Sequence, residues 1–216
     1  MDGDEDGFVS IFDGKTLDGW EGDPKYWRAA DGVMTGEVTA ETLLKSNTFL
    51  IWRGGAPEDF ELKVEYRITA GGNSGVNYRS VVVPDTVTPA NRFAMAGYQC
   101  DIDGQNRYTG QYYEQATGRG IIAWRGQVVR TEEGKSPRLL ATLGDKDELG
   151  GYVKIDDWNQ LHIIARGNTM THIVNGHVMS VLIDDDPTKF RKSGIIGFEI
   201  EGTGKINIRN IWLKKL

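Results

Sequence analysis

Phe60-Glu-Leu-Lys-Val-Glu-Tyr-Arg-Ile-Thr69, Ala70-Gly-Gly-Asn-Ser-Gly75 and Val76-Asn-Tyr-Arg79 form the stretch whose reading decides the fold. Phe60, Leu62, Val64, Tyr66 and Ile68 alternate with Glu61, Lys63, Glu65 and Arg67, the two-residue period of a strand with one face in a core. Beyond a glycine-rich turn, Val76 and Tyr78 alternate with Asn77 and Arg79. Tyr98-Gln-Cys-Asp-Ile-Asp103 repeats the pattern, setting Tyr98, Cys100 and Ile102 against Gln99, Asp101 and Asp103. If the three strands share a sheet, one face is apolar. The other then points Glu65, Arg67, Arg79, Gln99 and Asp101 into one cleft, and this mixed-charge face is the expected functional surface.

Outward from this stretch the chain keeps the same grammar. Phe8-Val-Ser-Ile-Phe12 is a short strand ended by Asp13-Gly14, and Asp31-Gly32 turns a hairpin between Tyr26–Ala30 and Val33–Thr35. Leu43-Leu44 and Phe49–Trp52 are further strands, the second without alternation and therefore buried on both faces. Val81 to Ala96 holds two prolines and little periodicity, a long loop beside the polar face. Tyr108 to Ala123 reads as a strand, a glycine-bounded turn and a return strand, and Arg130 to Leu149 is irregular with room for one short helix. Asn175-Gly176 is a strong hairpin signal between Thr169–Val174 and His177–Leu182. Gly194–Glu201 and Lys205–Leu213 close the chain as strands. Many short strands, Asp-Gly and Asn-Gly turns and no amphipathic helix indicate an all-β antiparallel sandwich.

The chain has 216 residues, 28 glycines and 6 prolines, without a proline-rich run or compositional break. It fits a single domain over residues 8–216, preceded by an acidic, solvated leader over 1–7 that is expected to be disordered. A net charge of -6 argues against a nucleic-acid protein, which normally carries a basic face. No apolar run reaches the ~20 residues needed to span a bilayer. The leader lacks the parts of a signal peptide, so the compartment is cytoplasmic, or periplasmic or extracellular if an export signal has been removed. The only cysteine, Cys100, allows no internal disulfide and reads as a core strand residue. Asp101-Ile-Asp103-Gly-Gln-Asn106 lacks the later glutamate of a calcium loop, and no cofactor fingerprint or metal-ligand spacing is present.

Phe12-Asp-Gly-Lys-Thr-Leu-Asp-Gly-Trp20 resembles the opening block of the 3-keto-disaccharide hydrolase family. Asp59-Phe-Glu-Leu62, Glu65-Tyr-Arg67, Asn73-Ser-Gly-Val76 with Arg79, Gly97–Ile102, Tyr113-Glu114 and Gly118-Arg-Gly120 are similar to its middle blocks, and Trp158-Asn159, Asn175-Gly176 and Arg209-Asn-Ile211 to its later ones. The resemblance runs from Phe8 to Leu216. It implies a concanavalin A-like jelly roll of two curved antiparallel sheets whose concave polar face holds a carbohydrate. One departure stands out: many relatives read roughly Leu-Gln-Leu-His where this chain has Phe198-Glu-Ile-Glu201, which trades an imidazole for a carboxylate and changes charge and proton-transfer range.

The activity so implied is cleavage of 3-keto-glycosides by proton abstraction at carbon 2 and elimination at carbon 1. That chemistry needs a base, donors for an enolate and an acid for the leaving oxygen. Asp101 or Glu65 is the candidate base, Arg67 and Arg79 the enolate donors, and Tyr113 or His172 the acid. Asn73, Gln99, Arg119 and Glu199 are candidate substrate contacts, and Trp124 follows the Arg119 turn as a candidate stacking surface. Each has a plainer reading: Glu65 and Asp101 neutralised by Arg67 or Arg79 in an interstrand ion network, Arg119 capping a turn, the histidines and tryptophans filling a core. A non-catalytic sugar-binding module and an ordinary two-carboxylate glycosidase are the rival functions.

Overall fold

The structure, a computed structural model, describes residues 6–84 and 91–216. The acidic leader, except for Asp6 and Gly7, and the middle of the expected long loop lie outside the described residues. In chain order the strands are Val9–Ser10 (β1), Trp20–Glu21 (β2), Trp27–Ala30 (β3), Val33–Val38 (β4), Thr48–Trp52 (β5), Phe60–Ile68 (β6), Asn73–Val82 (β7), Met95–Asp103 (β8) and Tyr112–Gln115 (β9). They continue as Gly120–Ala123 (β10), Gln127–Glu132 (β11), Arg138–Thr142 (β12), Asn159–Arg166 (β13), Thr169–Val174 (β14), His177–Asp185 (β15), Ile195–Glu201 (β16) and Gly204–Lys215 (β17). A single short helix, Lys146–Gly150 (α1), is present among the described residues and falls inside the irregular segment where one was expected.

The strands form two sheets. One has ten strands in the order β12-β11-β15-β14-β13-β6-β17-β4-β3, with β1 alongside β17; the other has seven in the order β10-β9-β8-β7-β16-β5-β2. Pairing is antiparallel except between β11 and β15. The layered all-β architecture is the expected jelly-roll sandwich.

The central correction concerns β6. It pairs with β13 and β17 in the ten-stranded sheet, whereas β7 pairs with β8 and β16 in the seven-stranded one. The glycine-rich segment between them is therefore an arch that carries the chain from sheet to sheet, not a hairpin turn. Both apolar faces point into the space between the sheets. Phe60 and Tyr78 meet there edge to face with ring centroids 6.0 Å apart. Leu62, Val64, Tyr66, Val76, Tyr98, Cys100 and Ile102 share the same core. The polar faces of β6 and β7 consequently lie on opposite outer surfaces, which separates Glu65 and Arg67 from Gln99 and Asp101.

Two smaller differences follow from packing. Leu43 is exposed and Leu43-Leu44 is not a strand. Val81-Val82 extends β7 rather than opening a loop, while β5 is buried along its whole length as its unbroken apolar run implies. The outer side of β5 is covered because Phe93 and Met95 pack on Phe49 and Ile51. That plug closes one end of the outer face of the seven-stranded sheet and leaves the other end open.

Arg79 is the second correction. It adopts φ +45°, at a register shift in β7 between Tyr78 and Val81. This bulge breaks the alternation and turns a residue expected on the polar face into the interior. The guanidinium is fully buried. It donates to the Glu58 carbonyl (2.8 Å), the Gly167 carbonyl (2.7 Å), the Arg191 carbonyl (3.2 Å) and Asp59 Oδ1 (2.9 Å). One side chain thus ties β7 to the loops entering β6, β14 and β16. Arg79→Met removes these donated hydrogen bonds and is expected to destabilise by about 3 kcal/mol, roughly 6–12 °C in Tm. Calorimetric melting checks this; an unchanged Tm would show that Arg79 does not staple the fold.

Candidate functional site

On the open end of the outer face of the seven-stranded sheet, β7, β8, β9 and β16 present a concave pocket of about 220 Å³. Asn73, Gln99, Asp101, Tyr108, Gln111, Tyr113, Glu199 and Glu201 line it, with Gln115 and Ile121. The register explains the gathering. Gly75 stands between Asp101 on one neighbouring strand and Glu199 on the other, and Tyr113 stands opposite Gln99. A pleated sheet puts directly paired residues on one face, so these side chains point together.

Gln99 organises the floor. Its Nε2 donates to Asp101 Oδ1 (2.8 Å) and to Glu199 Oε2 (2.7 Å), so one amide holds both carboxyl groups. The amide lies over Gly75, where an added Cβ would meet Gln99 Nε2 at 2.6 Å. The glycine of the Asn73-Ser-Gly motif thus gives the bridge its space. Gln111 Nε2 donates to the other oxygen of Asp101 (2.6 Å), and Asn47 Nδ2 to the other oxygen of Glu199 (2.5 Å). Asn73 reaches Glu201 at the rim (3.3 Å).

No lysine, arginine or histidine is among the lining residues. Loss of hydration therefore dominates the acidities. Burial pushes the Asp101 carboxyl up to about 7, with Gln111 and Gln99 pulling it back and Asp103 and Glu201 adding to the rise. Burial pushes Glu199 up to about 8, opposed by Asn47 and reinforced by the negative charge of Asp101 and Glu201. Tyr113 also keeps its proton more tightly than usual, through burial and then the Glu199, Asp101 and Glu201 charges. Carboxyl groups poised near neutrality at the bottom of a pocket can give or take a proton without a change of solvent pH.

The sequence-predicted residues divide accordingly. Asp101, Glu199, Gln99, Tyr113 and Asn73 come together in the pocket. Glu65 is on the far sheet, accepting from Arg209 Nε at 2.7 Å, so its interstrand partner is Arg209 and not Arg67 or Arg79; Arg67 pairs there with Asp156 of a turn at 3.3 Å. Arg79 is the interior staple already described. Arg119 is in the layer between the sheets, bonded to Glu114 and, at 2.6 Å, to Asp184. Asp184 also accepts from Tyr98 and Thr131. Burial works against the Asp184 charge, but Arg119, Thr131 and Tyr98 hold its carboxyl below the ordinary value. His172 is buried in the same layer, stacked on Tyr112 and 2.7 Å from the Tyr78 hydroxyl. Burial lowers its pKa to about 4, which keeps the imidazole neutral.

Trp124 is exposed outside the lining, against Tyr108. Gln111, Tyr108 and Glu201 were not singled out as site residues. The signal for Gln111 is the alternation of Gln111, Tyr113 and Gln115 against Tyr112 and Glu114. Among the described residues no group of three or more His, Cys, Asp or Glu side chains is placed to hold a metal ion. No described helix is long and apolar enough to cross a membrane.

With this geometry in view, the comparisons with known proteins are specific. A family model of the 3-keto-alpha-glucoside-1,2-lyase-like domain matches residues 7–214. A 3-keto-disaccharide hydrolase of Bacteroides thetaiotaomicron is 37% identical over 82 residues, 35% of this chain and 28% of that protein's own length. A provisionally assigned glycosyl hydrolase of Parabacteroides distasonis superposes with TM-score 0.61 at 17% identity, covering 97% of this chain and 94% of that one. A carbohydrate-binding module of Bacillus subtilis does so with TM-score 0.58 at 12% identity, covering 91% and 96%. At such identities the two solved structures show the fold alone.

A carboxyl whose pKa is raised on folding holds its proton more tightly in the folded chain. It stabilises below its ordinary value, and that contribution is lost as pH rises through the folded value. For Glu199 the window runs from 4.5 to about 8. Glu199→Gln is therefore expected to gain stability relative to the parent between pH 5 and pH 9, on the order of 3 kcal/mol. Paired melting curves across that range check it, and a Tm difference that stays flat with pH would contradict the assignment of a buried, raised carboxyl.

Proposed function

Because the chain belongs to the family of 3-keto-alpha-glucoside-1,2-lyase-like domains, we propose that its concave pocket binds a 3-keto-glycoside and cleaves it by elimination. The observation that carries this reading is the Gln99-bridged pair, Asp101 and Glu199, held near neutral acidity on the floor of a pocket without a cation.

A ketone at carbon 3 acidifies the hydrogen on carbon 2. Asp101 in its ionised form removes that proton, and the electron pair passes into an enolate on the carbon-3 oxygen. Glu199 is the more basic of the two and keeps its proton at neutral pH, so it donates a hydrogen bond to the enolate oxygen, as a carboxylic acid kept neutral by an apolar setting can. The enolate collapses to a carbon 1–carbon 2 double bond and expels the oxygen on carbon 1, which takes a proton from the Tyr113 hydroxyl. Water then adds across the double bond: its hydroxyl goes to carbon 1 and its proton to the Tyr113 oxygen, while Asp101 returns its proton to carbon 2, so that both residues regain their starting forms. Gln99 and Gln111 fix the Asp101 carboxylate; Asn73 and Glu201 stand at the rim to meet sugar hydroxyls. Glu65, Arg67, Arg79, Arg119 and His172 take no part, because their side chains are committed elsewhere in the fold.

Turnover of a 3-keto-glucoside beside its unoxidised parent is the direct test. Cleavage of the ketone alone supports elimination; cleavage of the parent selects an ordinary glycosidase; binding without cleavage of either makes the domain a sugar-binding module. Asp101→Asn is expected to lower turnover by roughly 100-fold or more while the protein still melts cooperatively. The mechanism needs Asp101 ionised and Glu199 protonated, so kcat/KM rises with pH through about 7 and falls through about 8. A rate that climbs steadily to pH 10 would rule out a protonated Glu199 as the donor.

A further inference from the structure

The rim beside β9 carries an aromatic pair that the chemistry above does not use. Tyr108 lines the pocket, and Trp124 stands against it with ring centroids 6.4 Å apart and planes tilted by 45°. Both are open to solvent, 39% and 42% exposed, whereas Trp20, Trp27 and Trp52 are buried. An exposed aromatic pair at a pocket mouth is an apolar surface with a use.

This surface is held rigidly from beneath. Arg125, the neighbour of Trp124, is buried. Its guanidinium donates to the carbonyls of Lys146 (2.8 Å), Thr109 (3.1 Å) and Asn106 (3.1 Å) and to Asn106 Oδ1 (2.9 Å). It thereby ties the loop bearing Tyr108, the turn bearing Trp124 and the start of α1 into one unit. Space for it is reserved at Gly150, where a Cβ would come within 2.6 Å of Arg125 Nη2. The Trp124 amide is fixed in turn by donation to Gln127 Oε1 at 3.0 Å. A buried charge whose hydrogen bonds go to two loop carbonyls, one loop side chain and the first carbonyl of α1 is an expensive device, and what it holds in place is the aromatic pair.

We propose that Tyr108 and Trp124 form a stacking platform for the leaving group: a second ring, sugar or aryl, joined to the ring in the pocket. The inference rests on the carbohydrate reading of the pocket and adds that the preferred ligands are disaccharides or aryl glycosides rather than simple alkyl glycosides. Ring faces, of a pyranose or an arene, pack on aromatic faces. Arg125 is a positioning residue, acting only through the two rings.

Calorimetric binding of the 3-keto forms of methyl glucoside, a glucosyl-glucose disaccharide and phenyl glucoside tests this on the intact chain, with Asp101→Asn as the parent background so that no ligand is consumed. In the parent, the two ring-bearing ligands should bind about 10-fold more tightly than the methyl ligand. Trp124→Ala, at an exposed position, should remove most of that advantage and leave the methyl ligand unchanged. Arg125→Met should reduce it in the same ligand-selective way. An advantage confined to the disaccharide or to the phenyl ligand identifies sugar or aryl as the ring the platform accepts. Equal binding of all three ligands, or an equal loss of all three in Trp124→Ala, would overturn the platform while leaving the pocket intact as a sugar site. Binding of none would overturn both the platform and the carbohydrate reading.

Discussion

The apolar faces of β6 and β7 oppose one another across the sandwich, and most of the structure depends on that burial. Phe60, Leu62, Val64 and Tyr66 close on Val76, Tyr78 and Tyr98, all but fully buried. Burying a large apolar side chain is worth about 1.5–3 kcal/mol, so a layer of this size outweighs any single polar contact here. Its geometric consequence is equally important. With the inner sides of both sheets committed, every polar side chain on alternate positions is driven to an outer surface or must be satisfied within the layer. Arg79, His172 and the Arg119–Asp184 group are of the second kind, each held by partners from both sheets or the loops that join them.

The outer surface of the seven-stranded sheet then differs from that of its partner. On the ten-stranded sheet the outward charges cancel: Glu65 meets Arg209, and the Arg209 guanidinium lies 3.8 Å from the Trp158 ring centre. In the pocket they do not cancel. Asp101 and Glu199 are crowded together with only amides to satisfy them, and each pays for this in hydration. A sheet built for stability alone would place an arginine there, as it does elsewhere in this molecule. The uncompensated pair is a local cost set against the core, and such costs concentrate where chemistry is done.

Alternation along Phe60–Ile68, Val76–Tyr78 and Tyr98–Asp103 made the strands and their inner faces legible, and the turn dipeptides made the all-β class so. It could not say which strands share a sheet. A hairpin within one sheet and an arch between two leave identical period-2 patterns, and only the partners of β6, far along in sequence, decide between them. Glu65 and Arg67 were thus grouped with Asp101 although a whole sandwich separates them. Arg79 escaped for a different reason: one bulged residue shifts a side chain to the other face, and nothing in Val76-Asn-Tyr-Arg79 announces the bulge. Asp101, Gln99 and Tyr113 were legible because they sit in regular strand. Glu199 lies in the Phe198-Glu-Ile-Glu201 segment that departs from the family pattern, while Gln111 and Tyr108 lie where the strand gives way to a turn.

The proposed chemistry depends on the acidity of two side chains, Asp101 and Glu199. Carbon-13 NMR titration of the carboxyl groups measures it directly, with Asp101→Asn and Glu199→Gln used to assign the resonances. Two carboxyls should titrate far above the rest, near 7 and near 8, each disappearing in its own variant. If both instead titrate with the other carboxyls near 4, the pocket holds an ordinary solvated pair and the proposed division into base and neutral donor is wrong.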